Sequence, residues 1–395
     1  MKEKFLRELA DIQTGPFGSQ LHKEDYVADG TPIVTVEHLG NKMFSEQNLP
    51  RVSNTDKNRL KKYVLKQGDI VFSRVGSVDR CSYVDQKHDG WMFSGRCLRV
   101  RPTSEIDSEY LYYYFCLEET KQFVRNIAVG ATMPSINTKL LGEVVVTFPE
   151  LEQQKRISGI LSAIDSKIEV NQKINDNLEQ QAVTYFQELY INNANPMWQI
   201  GTISDLGTVV GGSTPSKTKP EYYTNNGIAW ITPKDLSINK SKFISHGEND
   251  ITELGLKNSS ATVMPKDTVL FSSRAPIGYI AIASNEVTTN QGFKSVIPYS
   301  EIGTAFVYFF LKHSLPVIES AASGSTFKEI SGSAMKNIPA IIPDRNTLDQ
   351  FNSFCAPIFA QQKILEEQNH SLAMLRDSLL PKLMSGAIDI ASIQL

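Results

Sequence analysis

Two arginines, Arg74 and Arg274, each follow a short β-rich run in a similar local context. The first stands in Phe72-Ser73-Arg74-Val75-Gly76 and the second in Phe271-Ser272-Ser273-Arg274-Ala275-Pro276. A guanidinium group can donate two parallel hydrogen bonds to a guanine edge or a phosphate, and the small neighbouring residues allow a close approach. An internal salt bridge is an equally good interpretation of each arginine. Weaker basic candidates, chosen by charge and neighbourhood, are Arg80, Arg96, Lys62, Lys217 and Lys294.

The positive charge of the chain is unevenly distributed. Residues 51–101 contain twelve Lys/Arg and five Asp, a net charge of +7, whereas the whole chain carries -3. A local basic surface on a weakly acidic protein favours a restricted anion-binding site over indiscriminate binding to nucleic acid. A solvated basic face would give the same pattern.

Signals for catalysis or cofactor binding are weak. The string nearest to the Asn/Asp-Pro-Pro-aromatic motif of adenine methyltransferases is Asn195-Pro196-Met197-Trp198, which lacks the second proline. No Gly-Lys pair is present to form a phosphate-binding loop. The six histidines and the four cysteines (Cys81, Cys97, Cys116 and Cys355) show no metal-ligand spacing. We therefore expect a non-enzymatic chain that binds no metal or cofactor itself.

The chain repeats itself at an offset of 194 residues. Gly130-Ala131-Thr132 recurs as Gly324-Ser325-Thr326, and the strand-like Val144–Pro149 recurs as Ile338–Pro343. B-DNA has local two-fold axes that dimeric proteins match with two copies of one binding element. A single chain with two diverged copies could therefore read two different half-sites.

Each copy has the pattern of a mixed α+β domain. Strand-like runs alternate with one helical stretch, and the tyrosines at 110, 112, 113 and 114 favour core packing over a base-stacking platform because of their helical spacing. The predicted strands are Ile33–Val36, Ile70–Ser73, Arg96–Arg101 and Val144–Phe148, and then Ile228–Ile231, Val269–Phe271, Phe293–Ile297 and Ile338–Ile342. The predicted organisation is a first α+β domain over 1–150, a long helix over 151–194, a second domain over 195–344 and a long helix over 345–395.

The two long helices carry heptad seams at the same offset. The first seam is Ile157, Leu161, Ile164, Ile168, Asn171, Asn175, Leu178, Ala182, Tyr185 and Leu189, and the second is Phe351, Cys355, Ile358, Gln362, Leu365, Asn369, Leu372, Arg376, Leu379 and Leu383. This spacing predicts a coiled coil, and the tether favours pairing within the chain over a generic dimerising helix. Asn175 and Asn369 occupy equivalent positions, where a buried Asn would specify register. We expect Pro357 to kink or restart the second helix and Pro381 to end it.

In this order and in duplicate, the segments and a set of short motifs resemble the specificity subunit of type I restriction-modification systems, over nearly the whole chain. In the first domain, Thr14-Gly15-Pro16-Phe17-Gly18-Ser19 stands where the fuller Gly-Gly-Ser-Thr-Pro-Ser motif would be expected. The motifs that carry the resemblance are Gly211-Gly212-Ser213-Thr214-Pro215-Ser216, Gly227-Ile228-Ala229-Trp230-Ile231, Asn290-Gln291-Gly292-Phe293 and Leu379-Leu380-Pro381-Lys382-Leu383-Met384-Ser385-Gly386.

The resemblance implies a function and a set of partners. It implies two target-recognition domains joined by helices that pack as an antiparallel coiled coil, with each domain reading one part of a two-part site in double-stranded DNA. It also implies two modification subunits, which bind S-adenosylmethionine and methylate adenine, and restriction subunits that use ATP and Mg²⁺. The alternative is a coiled-coil scaffold whose α+β domains bind proteins or peptides. The chain shows no apolar run of membrane-spanning length and no signal-peptide pattern, so we expect a cytoplasmic protein.

Overall fold

The computed structural model of the chain describes residues 1–16, 18–40, 42–324 and 328–388. It contains two units, one formed by Met1–Glu169 with Ser371–Leu395 and the other by Val170–His370. Each unit contains one end of each long helix. The units therefore differ from the four consecutive segments that the sequence predicts. The difference arises because the start of the first helix packs beside the end of the second.

The first unit consists of short strands and short helices, followed by the start of a long helix. Its elements are β1 (Lys2–Phe5), α1 (Leu6–Leu9), β2 (Ala10–Thr14), β3 (Tyr26–Val27), β4 (Thr31–Val34), β5 (Arg51–Val52), α2 (Asn54–Arg59), β6 (Ile70–Ser73), β7 (Cys81–Tyr83), β8 (Met92–Phe93), β9 (Cys97–Pro102), α3 (Ser108–Cys116), α4 (Glu118–Ile127), α5 (Thr138–Gly142), β10 (Val145–Phe148) and the start of α6 (Leu151–Phe186).

Three sheets organise this unit. The largest is antiparallel with the order β2-β9-β6-β7, a smaller one has the order β3-β5-β4-β8, and β1 pairs with β10. Helix α3 covers the larger sheet, since Tyr110, Tyr113 and Phe115 are buried and the Phe115 ring meets that of Phe72 at 4.7 Å. The prediction of core packing is therefore right for the tyrosines at 110, 112 and 113, which are buried.

The second unit repeats this plan. Its elements are β11 (Gln199–Thr202), α7 (Ile203–Leu206), β12 (Gly207–Gly211), β13 (Tyr223–Thr224), β14 (Ile228–Ile231), α8 (Pro233–Ile238), β15 (Phe243–Ile244), β16 (Asn249–Ile251), α9 (Glu253–Lys257), β17 (Val269–Ser273), β18 (Ile277–Ala283), β19 (Thr288–Thr289), β20 (Lys294–Pro298), α10 (Thr304–His313), α11 (Leu315–Ala321), α12 (Gly332–Lys336), β21 (Pro339–Ile342) and most of α13 (Arg345–Met384). Short 3-10 turns lie at Gly18–Gln20, Lys23–Asp25, Val36–His38, Lys61–Tyr63 and Pro220–Tyr222, and a π-helical turn, Gln187–Asn192, follows α6.

The sheets of the second unit match those of the first, except that the large sheet has an additional edge strand, β15. They have the orders β12-β20-β17-β18-β15, β13-β16-β14-β19 and β11-β21. The short hairpin that closes between Val129 and Ser135 in the first unit recurs between Ser323 and Glu329, 194 residues later. The tip motif Gly324-Ser325-Thr326 lies partly outside the described residues. The two halves are therefore copies of one α+β domain, as the repeat predicts.

The two long helices run antiparallel in both units. In the first unit Arg376 of α13 donates to Asp165 of α6 at 2.8 Å. In the second, Asn171 of α6 donates to Asn369 of α13 at 2.9 Å, and the order of partners along α13 reverses that along α6. All seam positions of both helices are buried or half-buried. No helix in the described ranges is long and apolar enough to cross a membrane.

Pro381 does not act as predicted, and Pro357 does not restart the second helix. Helix α13 runs from Arg345 to Met384 through both Pro357 and Pro381. A proline removes one backbone donor, but the surrounding packing can offset that loss. Here Leu380 and Leu383, on either side of Pro381, are buried in the core of the first unit. The last turn is thus held by apolar burial, and the expectation that Pro381 ends the helix is wrong.

Candidate nucleic-acid interface

Arg74, Arg80 and Arg96 lie together at one end of the large sheet in the first unit. Strand β6 ends at Ser73, next to the first residues of the antiparallel strands β7 and β9. The backbone N–H of Arg74 donates to the carbonyl of Arg96 at 2.8 Å, and that of Ser73 donates to the carbonyl of Arg80 at 2.9 Å. The sheet thus brings together three cations that are separated in the sequence.

The three side chains differ in how they are held. Arg74 is half-buried and donates through Nη1 to the carbonyl of Gly95 at 3.2 Å. Arg80 and Arg96 are exposed, and within the described part of the chain neither guanidinium has a hydrogen bond or an ion pair. Arginines whose backbones are adjacent in this way, two of them with exposed guanidinium groups, are suited to contact phosphates and base edges.

Gly40 makes room for Arg80. Its φ is +126°, and a Cβ at this position would lie 2.7 Å from both Nε and Nη2 of Arg80. An alanine would therefore be strained and would displace the guanidinium. The glycine shapes the surface that presents Arg80.

Part of the basic segment serves the fold instead. Arg99 is only 3% exposed and pairs with Asp11, and Arg101 pairs with Asp69 at 2.7 Å. Burial lowers the pKa of Arg99. Lys62 is exposed, with Nζ 4.8 Å from the centre of the Tyr63 ring, and its ammonium has no hydrogen bond or ion pair among the described residues. Because some of these cations form internal ion pairs, the net charge of +7 overstates the positive charge that is available to bind a ligand.

In the second unit Arg274 and Lys294 share one carboxylate. Arg274 Nη1 lies 3.4 Å from Oε2 of Glu329, and Lys294 Nζ lies 3.8 Å from Oε1. The salt-bridge interpretation is thus observed for Arg274. Its side chain remains 38% exposed, so the guanidinium is still accessible to a ligand.

Glu329 and Lys336 are additions that sequence reasoning missed. Glu329 is equivalent by the offset to Ser135, whose hydroxyl donates to the carbonyl of Val129 at 3.2 Å. A comparison of the two copies at this position would have revealed the difference in charge. Exposed Lys336 lines a cavity of about 450 Å³ together with Lys294 and Gly211, and no sequence pattern singles it out.

The motifs that open each domain pack against the loop before the last strand of the large sheet. A Cβ on Gly212 would lie 1.9 Å from the carbonyl oxygen of Asn290, and a Cβ on Gly15 would lie 2.1 Å from that of Ser94. Trp230 Nε1 donates to the carbonyl of Ser213 at 3.0 Å. These glycines allow a backbone approach that no side chain permits, so the motifs have a structural role in both copies.

Lys217 lies on the loop that follows this motif. It is exposed and has no hydrogen bond or ion pair to any described residue, and the structure does not place it with Arg274 and Lys294. Among the described ranges there is no cluster of three or more His, Cys, Asp or Glu residues that could hold a metal ion. DNA contact by any of the seven basic candidates stays a prediction.

Comparisons with known proteins bear on both copies. The family model described as type I restriction modification DNA specificity domain matches residues 1–180 and 195–369. The MjaIX specificity subunit of Methanocaldococcus jannaschii, a type I restriction enzyme protein, is 43% identical over 162 residues, which are 40% of this chain and 37% of that relative. The HindI specificity subunit of Haemophilus influenzae is 24% identical over 406 residues, covering 83% of this chain and 88% of the relative.

A solved structure shares the fold. The S subunit of a type I restriction-modification system from M. genitalium superposes with a TM-score of 0.58 and covers 97% of this chain and 95% of its own. The sequence identity is 18%, so the likeness concerns the fold alone.

Proposed function

The chain belongs to the type I restriction modification DNA specificity domain family, and from this membership we propose that it is the DNA specificity subunit of a type I restriction-modification complex. In this function the chain binds an asymmetric, two-part DNA site. Each α+β domain reads one half-site. The chain itself performs no catalysis and holds no cofactor.

The observation that carries the proposal is the occurrence of two diverged copies of one domain, each with cations at the same end of its large sheet. The first copy presents Arg74, Arg80 and Arg96 there, and the second presents Arg274 and Lys294 beside Glu329. Similar backbones with different side chains suit the reading of two different sequences. Lysines and arginines at these places would also supply the phosphate contacts that give most of the affinity.

The partners follow from the same function. We propose that two modification subunits, which bind S-adenosylmethionine and methylate adenine, associate with this chain, and that restriction subunits using ATP and Mg²⁺ join them. The relatives from M. jannaschii and H. influenzae are both named as specificity subunits of type I restriction enzymes. The alternative function, a scaffold that binds peptides without reading DNA, is not supported by these relatives.

A methylome comparison tests the proposal. Genomic DNA from the host with and without this gene would be sequenced for N6-methyladenine, with the genes of the modification subunits intact in both strains. We expect one motif in two separated parts to be methylated only when the gene is present. Methylation that is unchanged on deletion, or a continuous motif, contradicts the proposal.

A further inference from the structure

Lys242 is a buried cation at the edge of the second recognition domain. It is 8% exposed and directly precedes β15, the outermost strand of the large sheet. Its carbonyl accepts the N–H of Ile282 at 2.7 Å, which ties its backbone to β18. A lysine is rarely buried unless its charge is paired, so its partners indicate why it is there.

The ammonium group of Lys242 bonds to both long helices. Nζ donates to Oε2 of Glu179 on α6 at 2.5 Å and to Oε1 of Gln362 on α13 at 2.6 Å. It also lies 4.2 Å from the centre of the Phe359 ring and 4.9 Å from that of Tyr308. One side chain of the recognition domain therefore meets both helices at a single point within this unit.

The neighbouring charges complete a closed network. The two carboxylate oxygens of Glu366 accept the backbone N–H groups of Lys242 at 2.8 Å and Phe243 at 3.0 Å. The second oxygen of Glu179 accepts from Lys312 at 2.5 Å. Glu179 thus pairs with both lysines, and Glu366 holds the backbone at the start of β15. Hydrogen bonds around a buried charge fix geometry more sharply than apolar packing, because they are directional.

We infer that Lys242 is a positioning residue that fixes the orientation of the second recognition domain on the helix pair, and through it the spacer length that the protein accepts between its two half-sites. This inference rests on the proposed function. The helices determine the position of the domain along their length, and the bonds of Lys242 determine the angle between the domain and the helix pair. A domain that can rotate on the helices accepts half-sites at more than one separation.

The first recognition domain offers a matched lysine without this arrangement. Lys42 is equivalent to Lys242 because its carbonyl accepts the N–H of Tyr83 at 2.8 Å from the equivalent strand. Its Nζ donates to Glu109 at 2.7 Å and to the Tyr113 hydroxyl at 3.2 Å, both on α3 of its own domain. Lys42 thus resembles Lys242 in place, but it is half-buried and does not bond to a long helix among the described residues.

The test compares Lys242→Met with Lys42→Met in the full chain, co-expressed with the modification subunits of the same host. Methionine keeps the alkyl stem against the aromatic rings, Glu179 retains Lys312, and Glu366 retains its two backbone donors. Methylation rates are measured on duplexes that carry both half-sites and differ only in spacer length. A duplex with one half-site and a thermal melt of each variant are measured alongside.

We expect Lys242→Met to accept spacers one base pair away from the optimum far better than the original chain does. Groups in one polar network couple by about two- to a hundredfold in an equilibrium constant, so the rate ratio between optimal and adjacent spacers should fall about fivefold or more. Binding to a single half-site should stay unchanged, and Lys42→Met should keep the original spacer profile.

The outcomes separate this inference from the proposed function. A spacer profile that is unchanged in Lys242→Met, or that broadens equally in both variants, overturns the inference while leaving the proposed function intact. If Lys242→Met does not fold, Gln362→Met decides, because it removes the acceptor on α13 and otherwise only the Gln362 Nε2 donor to the Asn175 carbonyl: a broader profile supports the inference and an unchanged profile overturns it. Absence of sequence-specific methylation with the original chain overturns the proposed function itself.

Discussion

Arg80 and Arg96 are the residues of the first unit best placed to meet a polyanion. Both are exposed beside the anchored Arg74, and neither guanidinium is engaged by an acid among the described residues. An unpaired guanidinium at a strand end does not have to break an internal ion pair before it binds. Its contribution to binding should therefore be larger than that of a basic residue that is already paired.

We predict that Arg80→Ala and Arg96→Ala each weaken DNA binding in the assembled complex. A lost base contact should cost roughly 1–3 kcal/mol and relax one position of the half-site, whereas a lost phosphate contact should lower the salt dependence of binding by about one ion. Lys87→Ala is the control, because Lys87 belongs to the same basic segment but pairs with Glu46. Salt titrations of all three variants that coincide with the original chain would remove both arginines from the interface.

Glu329 should have the opposite effect to the two cations that it joins. Arg274→Ala is expected to weaken binding by roughly 1–3 kcal/mol if its guanidinium reads a base. Glu329→Gln removes a negative charge that is 38% exposed, and we expect binding to strengthen by up to about 1 kcal/mol at low salt. The exposed Glu319 gives a control, Glu319→Gln, in the same unit. Weaker binding by Glu329→Gln would mean that the acid itself accepts a hydrogen bond from the DNA.

At the scale of elements, the periodic parts of the chain could be predicted, and the special positions could not. The heptad spacing predicts both long helices, and α6 begins at Leu151 where the predicted helix begins. The break expected at Pro381 fails because a rule about one missing donor ignores the burial of Leu380 and Leu383. The ion pair of Arg99 could not be predicted either, because the alternating pattern of β9 identifies a strand but not which charged side chain is buried.

The sequence analysis singles out Asn175 and Asn369 for register, but Asn369 bonds to the buried Asn171 and Asn175 is half-buried. We predict that the Asn171–Asn369 pair specifies register at a cost in stability. Asn171 is fully buried, and its Oδ1 has no partner among the described residues. Removing one partner of a buried hydrogen bond costs about 1–3 kcal/mol, whereas replacing both with apolar groups is close to neutral. We therefore expect Asn171→Leu to lower the thermal midpoint and the double variant Asn171→Leu/Asn369→Leu to restore or exceed it.

The measurement for the asparagine pair is thermal unfolding of the three proteins followed by circular dichroism. The exposed Asn177 on the same helix provides the control Asn177→Leu. If the double variant melts lower than the single one, the pair contributes net stability and the register argument for its presence is unnecessary.

At the scale of the whole molecule, the sequence predicts the two repeated domains but not which residues form the DNA-binding site. The repeat at an offset of 194 residues predicts two copies of one domain, and the hairpins at Val129–Ser135 and Ser323–Glu329 confirm it. Which cations face a ligand depends on where the strands end in three dimensions. The sequence therefore identifies Arg74, Arg80 and Arg96 as separate candidates but does not predict that they lie together. The charge of Glu329 stands out only when the two copies are compared, because the equivalent residue of the first copy is Ser135.

The long helices should act as the ruler for the spacer between half-sites. Both helices pass through both units, so a matched insertion must be made in each. We predict that four residues inserted after Glu169 in α6, together with four after His370 in α13, lengthen the preferred spacer by one or two base pairs. Four residues add about 6 Å of helix, and a four-residue insertion is the one that a heptad seam absorbs best.

Both half-site sequences should remain the same after this insertion, because every candidate contact residue keeps its own domain around it. The measurement is the methylation rate across duplexes that differ only in spacer length, and insertion in α6 alone is the control. An insertion in α6 alone puts the Asn171–Asn369 pair out of register with the Asp165–Arg376 pair, so that variant should lose activity without gaining a new optimum. A paired insertion that leaves the optimum in place, or that changes the bases recognised, would show that the recognition domains and not the helices determine the spacer.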